Sequence, residues 1–193
     1  MADPVAFATT ITKVRPDGFT SATKLDDNNI VDQQWACKPE GIVALLVGSA
    51  QAAFGLSSQS VTANLTTSNV TGVTVPADVQ SGMQWNYGLD VSGSVAQGSL
   101  DVNLTGTVPT VLRAIGTESV TVPAGTFNAT KIQGTSTFNV TAEYFGLKLP
   151  VTVVVNSTFW FAPGVGWIKS IQTGNLPGTS FNSTTELQAY NIP

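Results

Sequence analysis

The strongest constraint in this sequence is a period of two. Threonine and other polar residues alternate with apolar ones over residues 61–75, broken at Gly72, and residues 99–107, 111–115, 118–122, 135–145 and 147–161 read as further amphipathic strands. Successive side chains of a strand point to opposite faces, so each of these runs carries one apolar and one polar face. Val5, Phe7, Thr9 and Ile11 alternate in the same way, as do Phe19, Ser21 and Thr23. Turn chemistry separates the runs: Pro16-Asp17-Gly18, Lys38-Pro39-Glu40-Gly41, Pro76-Ala77-Asp78 and Ser81-Gly82. A helical period is not sustained anywhere, and residues 41–55, rich in Ala and Leu, read either as a short helix or as a buried strand pair. The expected fold is therefore all-β, a strongly curved antiparallel sheet (a half-barrel or a sandwich) with little helix. It forms one β domain over residues 1–193, with residues 1–13 as an N-terminal arm able to donate a strand.

The polar faces are unusually free of charge. Asp, Glu, Lys and Arg make up 10% of the chain, against about 25% in soluble proteins. In their place stand 26 Thr, 16 Ser and 12 Asn. A net charge of −4 spread this thinly gives no grip on nucleic acid. Histidine is absent, which removes the commonest general base and metal ligand. No cofactor or metal is expected. With few titrating groups, stability is expected to depend weakly on pH. The longest apolar run, residues 42–54, is interrupted by Gly48, Ser49 and Gln51 and is too short to cross a bilayer, so no transmembrane segment is expected. Cys37 stands alone and cannot form an intrachain disulfide; it reads as a small buried residue.

Seven asparagines open an N-x-S/T triplet: Asn64, Asn69, Asn103, Asn128, Asn139, Asn156 and Asn182. With 12 Asn and 42 Ser plus Thr in 193 residues, chance gives about 2.6 such triplets. Part of the excess follows from the strand pattern itself, because the middle residue is apolar in five of them (Leu65, Val70, Leu104, Ala129 and Val140). The same pattern puts each Asn and its Thr on the outer face, where a glycan has room. Secretion and N-glycosylation at these seven positions are the expectation.

Motifs for chemistry are thin. Ser21-Ala22-Thr23-Lys24 matches S-x-x-K, but chance gives about half a match and the companion elements of that enzyme class are missing. Asp26, Asp27 and Asp32 offer oxygen ligands for calcium beside Asn28 and Asn29, though acids at a turn are ordinarily just solvated. No pair among the 12 acids is singled out for glycoside cleavage. Trp35, Trp85, Trp160 and Trp167, with Phe159 and Phe161, read as core or as the wall of an apolar pocket.

Two turns carry a resemblance. Residues 118–127 contain Val122-Pro123-Ala124-Gly125-Thr126-Phe127, and residues 160–169 contain Ala162-Pro163-Gly164-Val165-Gly166. With these the chain resembles a group of secreted bacterial and archaeal proteins of unknown function that look like the half-barrel periplasmic and lipoprotein-carrier folds. The resemblance implies an open curved sheet and supplies no catalytic residues. The expected protein is a non-enzymatic, extracellular cell-surface structural protein. It self-associates or binds other surface proteins, and assembles into filaments by β-strand addition through Val5, Phe7 and Ile11. The alternative is a carrier holding a lipid or other apolar ligand against Trp35, Trp85, Trp160 and Trp167.

Overall fold

The computed structural model describes residues 6–26, 29–45, 61–97, 100–176 and 179–192. These residues hold twelve strands and no helix: β1 (Ala8–Arg15), β2 (Gly18–Asp26), β3 (Asn29–Lys38), β4 (Gly41–Ala44), β5 (Val61–Gly72), β6 (Val75–Pro76), β7 (Gln84–Gln97), β8 (Leu100–Val122), β9 (Gly125–Tyr144), β10 (Leu147–Ala162), β11 (Gly166–Leu176) and β12 (Thr179–Glu186). They form two antiparallel sheets, ordered β1-β2-β3-β4-β6 and β12-β11-β10-β9-β8-β7-β5. The larger sheet is open, with β5 and β12 as its edges.

The all-β architecture read from the sequence is the one observed, but the chain is less interrupted than its glycines and prolines suggest. Residues 99–107, 111–115 and 118–122 read as separate strands, whereas Leu100–Val122 is one continuous β8 and residue 99 lies outside the described set. Its Pro109 falls where the β8–β9 ladder skips from Thr107↔Asn139 to Thr110↔Ser136, so the missing N–H costs no bond on that side. Gly116 sits at a bulge, where register shifts between Ala114 and Gly116. In β9, Gly134 leaves room for the side chain of Leu112, whose Cδ2 lies 3.3 Å from where a Cβ would be. Of residues 41–55, Gly41–Ala44 is strand β4 and residues 46–55 lie outside the described set.

The large sheet buries different faces at its two ends. Leu89, Val91, Val108, Phe138, Val153 and Val155 form one core cluster. Trp85, Leu112, Ala114 and Ile132 form a second, with Phe159, Phe161 and Trp167 packed on it. Both lie on one face, because Leu89↔Val108 and Trp85↔Leu112 are cross-strand partners four residues apart along β7. The third cluster, Ala129, Trp160, Ala162 and Ile168, lies on the opposite face at the other end. Phe159 faces Ile132, while its neighbour Trp160 faces Lys131, and adjacent strand residues point to opposite sides. The C-terminal segment covers this third cluster. The Leu187 N–H donates to the Ile168 carbonyl, the Leu187 carbonyl accepts from the Ala124 N–H, and Tyr190 meets the Phe127 ring edge-on at 5.9 Å.

The small sheet is clasped to the large one near β4. The Tyr87 hydroxyl donates to the Ala44 carbonyl at 2.7 Å, and the Trp85 indole N–H donates to the Thr74 carbonyl at 3.4 Å. The Thr67 hydroxyl donates to the Leu45 carbonyl. Burial pushes the Tyr87 phenol up to about 12, against a smaller opposing pull from the Thr74 side chain. The folded state thus prefers the neutral phenol. Its contribution is intact below the ordinary phenol pKa of about 10 and is lost as pH rises towards the folded value. Alkaline unfolding followed by circular dichroism is expected to steepen between about pH 10 and 12. Tyr87→Phe is expected to flatten the profile in that window, and identical profiles would contradict the clasp.

Candidate functional site

All seven triplet asparagines lie on the large sheet and all are exposed: Asn64 and Asn69 on β5, Asn103 on β8, Asn128 and Asn139 on β9, Asn156 on β10 and Asn182 on β12. Antiparallel register lines up two of them in one row across the sheet, Asn182↔Thr173↔Asn156↔Thr135↔Val111↔Asn86. Each member of that row is exposed. Hydroxyl–amide bonds link its strands. Thr135 donates to Asn156 Oδ1 at 3.0 Å and Thr152 to Asn139 Oδ1 at 3.3 Å, which leaves the nitrogen of each amide outside those bonds. Asn69 differs. Its Nδ2, the atom a glycan would occupy, donates to Asp90 Oδ2 at 2.6 Å, and its backbone has φ 50° at the β5–β7 bulge.

The N-terminal arm pairs with its own chain. β1 forms a hairpin with β2, from Arg15↔Gly18 to Ala8↔Lys24, closed by the Pro16-Asp17 turn. Every β1 residue from Ala8 to Val14 is exposed, so this strand is covered on neither face. Ile11 is 59% exposed and Val14 78%; Phe7 is also exposed, and Val5 lies outside the described residues. The free edge is regular and uncharged only over its first half. A bulge falls between Ile11 and Lys13, and Lys13 follows.

The four tryptophans do not meet in one cavity. Trp85 is buried in the second cluster, with Trp167 packed beside it through Phe159 and Phe161. Trp160 is buried in the third cluster on the opposite face. Trp35 lies on the small sheet, stacked on Phe19 at 5.8 Å, with its N–H donated to Ser21 Oγ at 3.1 Å. Two open depressions of about 270 and 390 Å³ lie elsewhere, one beside Asp101, Glu143 and Phe145, the other beside Asn156, Asn175 and Phe181. The most concentrated charge surrounds Trp160. Its indole N–H donates to Glu118 Oε1 at 2.6 Å. The Lys131 and Lys169 ammonium groups lie 5.3 and 5.8 Å from its ring centre. Glu118 and Glu186 pair with those lysines at 3.7 and 2.7 Å.

The remaining sequence candidates are dispersed. Cys37, expected to be buried, is exposed: it sits near the end of β3, in a sheet region that is largely uncovered. Ser21 is buried on β2 and Lys24 is exposed. Asp32 is exposed on β3, while Asp27 lies outside the described residues. Among the described residues, no three His, Cys, Asp or Glu side chains cluster to hold a metal, and no helix is long and apolar enough to cross a membrane. Sequence reasoning missed the exposed apolar end of the β9–β10 hairpin, since Tyr144, Phe145, Leu147 and Leu149 resemble core residues by type.

The two turn motifs, 118–127 and 160–169, are neighbours in space and both line the third cluster. Val120 and Phe127 of one, and Val165 of the other, pack on Trp160 and Ile168. An open antiparallel sheet with these turns packed on its third cluster is the class of protein in hand. The chain belongs to the DUF3108-like family, whose model matches residues 50–186. That match covers the large sheet and leaves out β1–β4. No curated protein and no solved structure matches the chain.

The role assigned to Trp160 is structural. Trp160→Phe removes the donor to Glu118 and leaves the two ammonium groups a smaller, weaker ring face. It is expected to lower stability by roughly 1–3 kcal/mol in urea unfolding; an unchanged midpoint would contradict that role.

Proposed function

We propose that this is a non-enzymatic, extracellular cell-surface structural protein, N-glycosylated on its large sheet and self-associating by strand addition at β1. The observation that carries the reading is β1 itself, an edge strand uncovered on both faces whose first half, Ala8–Thr9–Thr10–Ile11, has no charge and no bulge. An uncharged, β-prone edge of this kind is a template for another strand. The large sheet offers no equal partner, because both its edges carry triplet asparagines, Asn64 and Asn69 on β5 and Asn182 on β12. Addition of β1 to β1 of a second copy is isologous and closes on two molecules. Addition to β12 of the next copy is heterologous and continues as a filament. The glycan positions favour the first, and electron microscopy separates the two.

The carrier alternative has less support, since Trp85 and Trp160 are buried in separate clusters on opposite faces. Exposure of all seven triplet asparagines supports the surface reading, as does the scarcity of charged groups placed for chemistry.

The test combines mass and association. Intact native protein is expected to exceed the 20.1 kDa chain mass by whole glycans. Sedimentation is expected to show concentration-dependent association that Ile11→Lys abolishes while the circular dichroism spectrum is kept. A monomer at every concentration, or association indifferent to Ile11→Lys, would overturn strand addition; a native mass equal to the bare chain would overturn the glycoprotein reading.

A further inference from the structure

Each of the two open depressions has a triplet asparagine in its lining, Asn103 in one and Asn156 in the other. In the second, the aromatic side chain is committed elsewhere, since Phe181 packs on the first core cluster. In the first, about 270 Å³ in volume, the aromatic side chains are Tyr144 and Phe145, and they lie beside Asp101, Asn103, Glu143 and Gly146. Tyr144 is 39% exposed and Phe145 92%.

Antiparallel register explains the grouping. Asn103 stands directly opposite Glu143 in the β8–β9 ladder, and such partners share a face with Cβ atoms about 5 Å apart. Asp101 lies two residues along β8 and therefore on that same face. Thr105, which completes the triplet, also shares it, and Asn103 and Thr105 are both exposed. Tyr144↔Leu147 is the last pair of the β9–β10 ladder, so Phe145 and Gly146 form a two-residue loop just beyond Glu143. Their φ values are 47° and 78°, where Asn, Asp and Gly are the unstrained choices. A bulky aromatic is disfavoured there, and burial against the protein does not compensate for it. The Phe145 ring meets Tyr144 edge-on at 4.4 Å. Glu143 pairs with Lys148 at 3.8 Å, but the glutamate is 44% and the lysine 69% exposed, so the pair is weak and the carboxylate stays within reach.

We propose that this depression seats the glycan carried by Asn103. Its first sugars fold back against the Phe145 and Tyr144 rings, and their hydroxyls donate to the Asp101 and Glu143 carboxylates. The seat rests on the glycoprotein reading above, and that reading stands without it. A pyranose ring has C–H groups on its faces and hydroxyls around its rim, so it suits an apolar ring flanked by acceptors. A free saccharide would gain little from so shallow and open a site, because association costs it translational and rotational freedom. A sugar rooted at Asn103 binds within its own molecule and escapes most of that cost. The occupant is therefore the chain's own glycan, and covering the ring gives an exposed aromatic in a strained loop a role.

The test uses the native glycoprotein, with glycopeptide mass mapping and proton NMR of the full chain, Asn103→Gln and Phe145→Leu. The leucine keeps an apolar side chain and removes the ring. Asn103 is expected to be modified. A set of sugar-ring protons is expected upfield of the remaining sugar signals, absent in Asn103→Gln and returned most of the way in Phe145→Leu. Each variant is expected to lower the melting temperature of the native protein by about 2–4 °C, and the two losses are expected not to add. In the chain made without glycans both variants are expected to melt with the parent. Sugar signals at Asn103 with no upfield shift, a shift that survives Phe145→Leu, or additive losses would overturn the seat alone. An unmodified Asn103 on a chain glycosylated elsewhere would do the same. A native chain bare at every triplet would overturn both the seat and the glycoprotein reading.

Discussion

An open sheet leaves backbone N–H and C=O groups unpaired along its edges, and each edge invites another strand. Proteins usually blunt such edges with charge, above all lysine. This chain has only 20 charged residues in 193, 8 Lys plus Arg and 12 Asp plus Glu, so its edges need other protection. β5 is tied back through the Thr67 hydroxyl to Leu45 and carries Asn64 and Asn69, whose proposed glycans would cover it. β12 carries Asn182 and leads into a segment bonded to Ile168 and Ala124. β1 has a bulge and Lys13 in its second half only, which leaves Ala8–Ile11 as the unprotected stretch on which the functional reading rests.

The second constraint is that one sheet serves two cores on opposite faces. Long strands make this workable: β8, β9 and β10 run 23, 20 and 16 residues, far beyond the usual 5–6. Bulges at Ala114/Gly116 and Trp160/Phe161 sit where the buried face changes. A bulge shifts the face on which following side chains stand. The charged surround of Trp160 lies at this change-over, where the indole needs a polar partner for its N–H as well as apolar walls. Four of the chain's few charges are placed there, Glu118, Lys131, Lys169 and Glu186.

What was legible in the sequence was periodicity. The alternation of Thr and Asn with Val and Leu gave the strands and the outward direction of all seven triplet asparagines, because parity is a local property. Continuity was harder to read. Pro109, Gly116 and Gly134 look like breaks, yet they occupy a ladder gap, a bulge and a space filled by Leu112. The grouping of the tryptophans was not legible, since Trp160 and Trp167 part company at a bulge that no local pattern announces. Cys37 is exposed against the general tendency of cysteine to be buried, because its strand lies in a sheet that is largely uncovered. The exposed hairpin tip was not legible either: Phe145 is apolar by type, and only register places it outside every cluster.

The proposed function makes the N-terminal strand the edge this molecule offers to a second copy. Amide hydrogen exchange read by mass spectrometry at low and high protein concentration addresses it directly. The account predicts slower exchange at high concentration confined to residues 6–13, with peptides from β5 and β12 unchanged. Protection appearing at β5 or β12 instead, or no dependence on concentration anywhere, would contradict it.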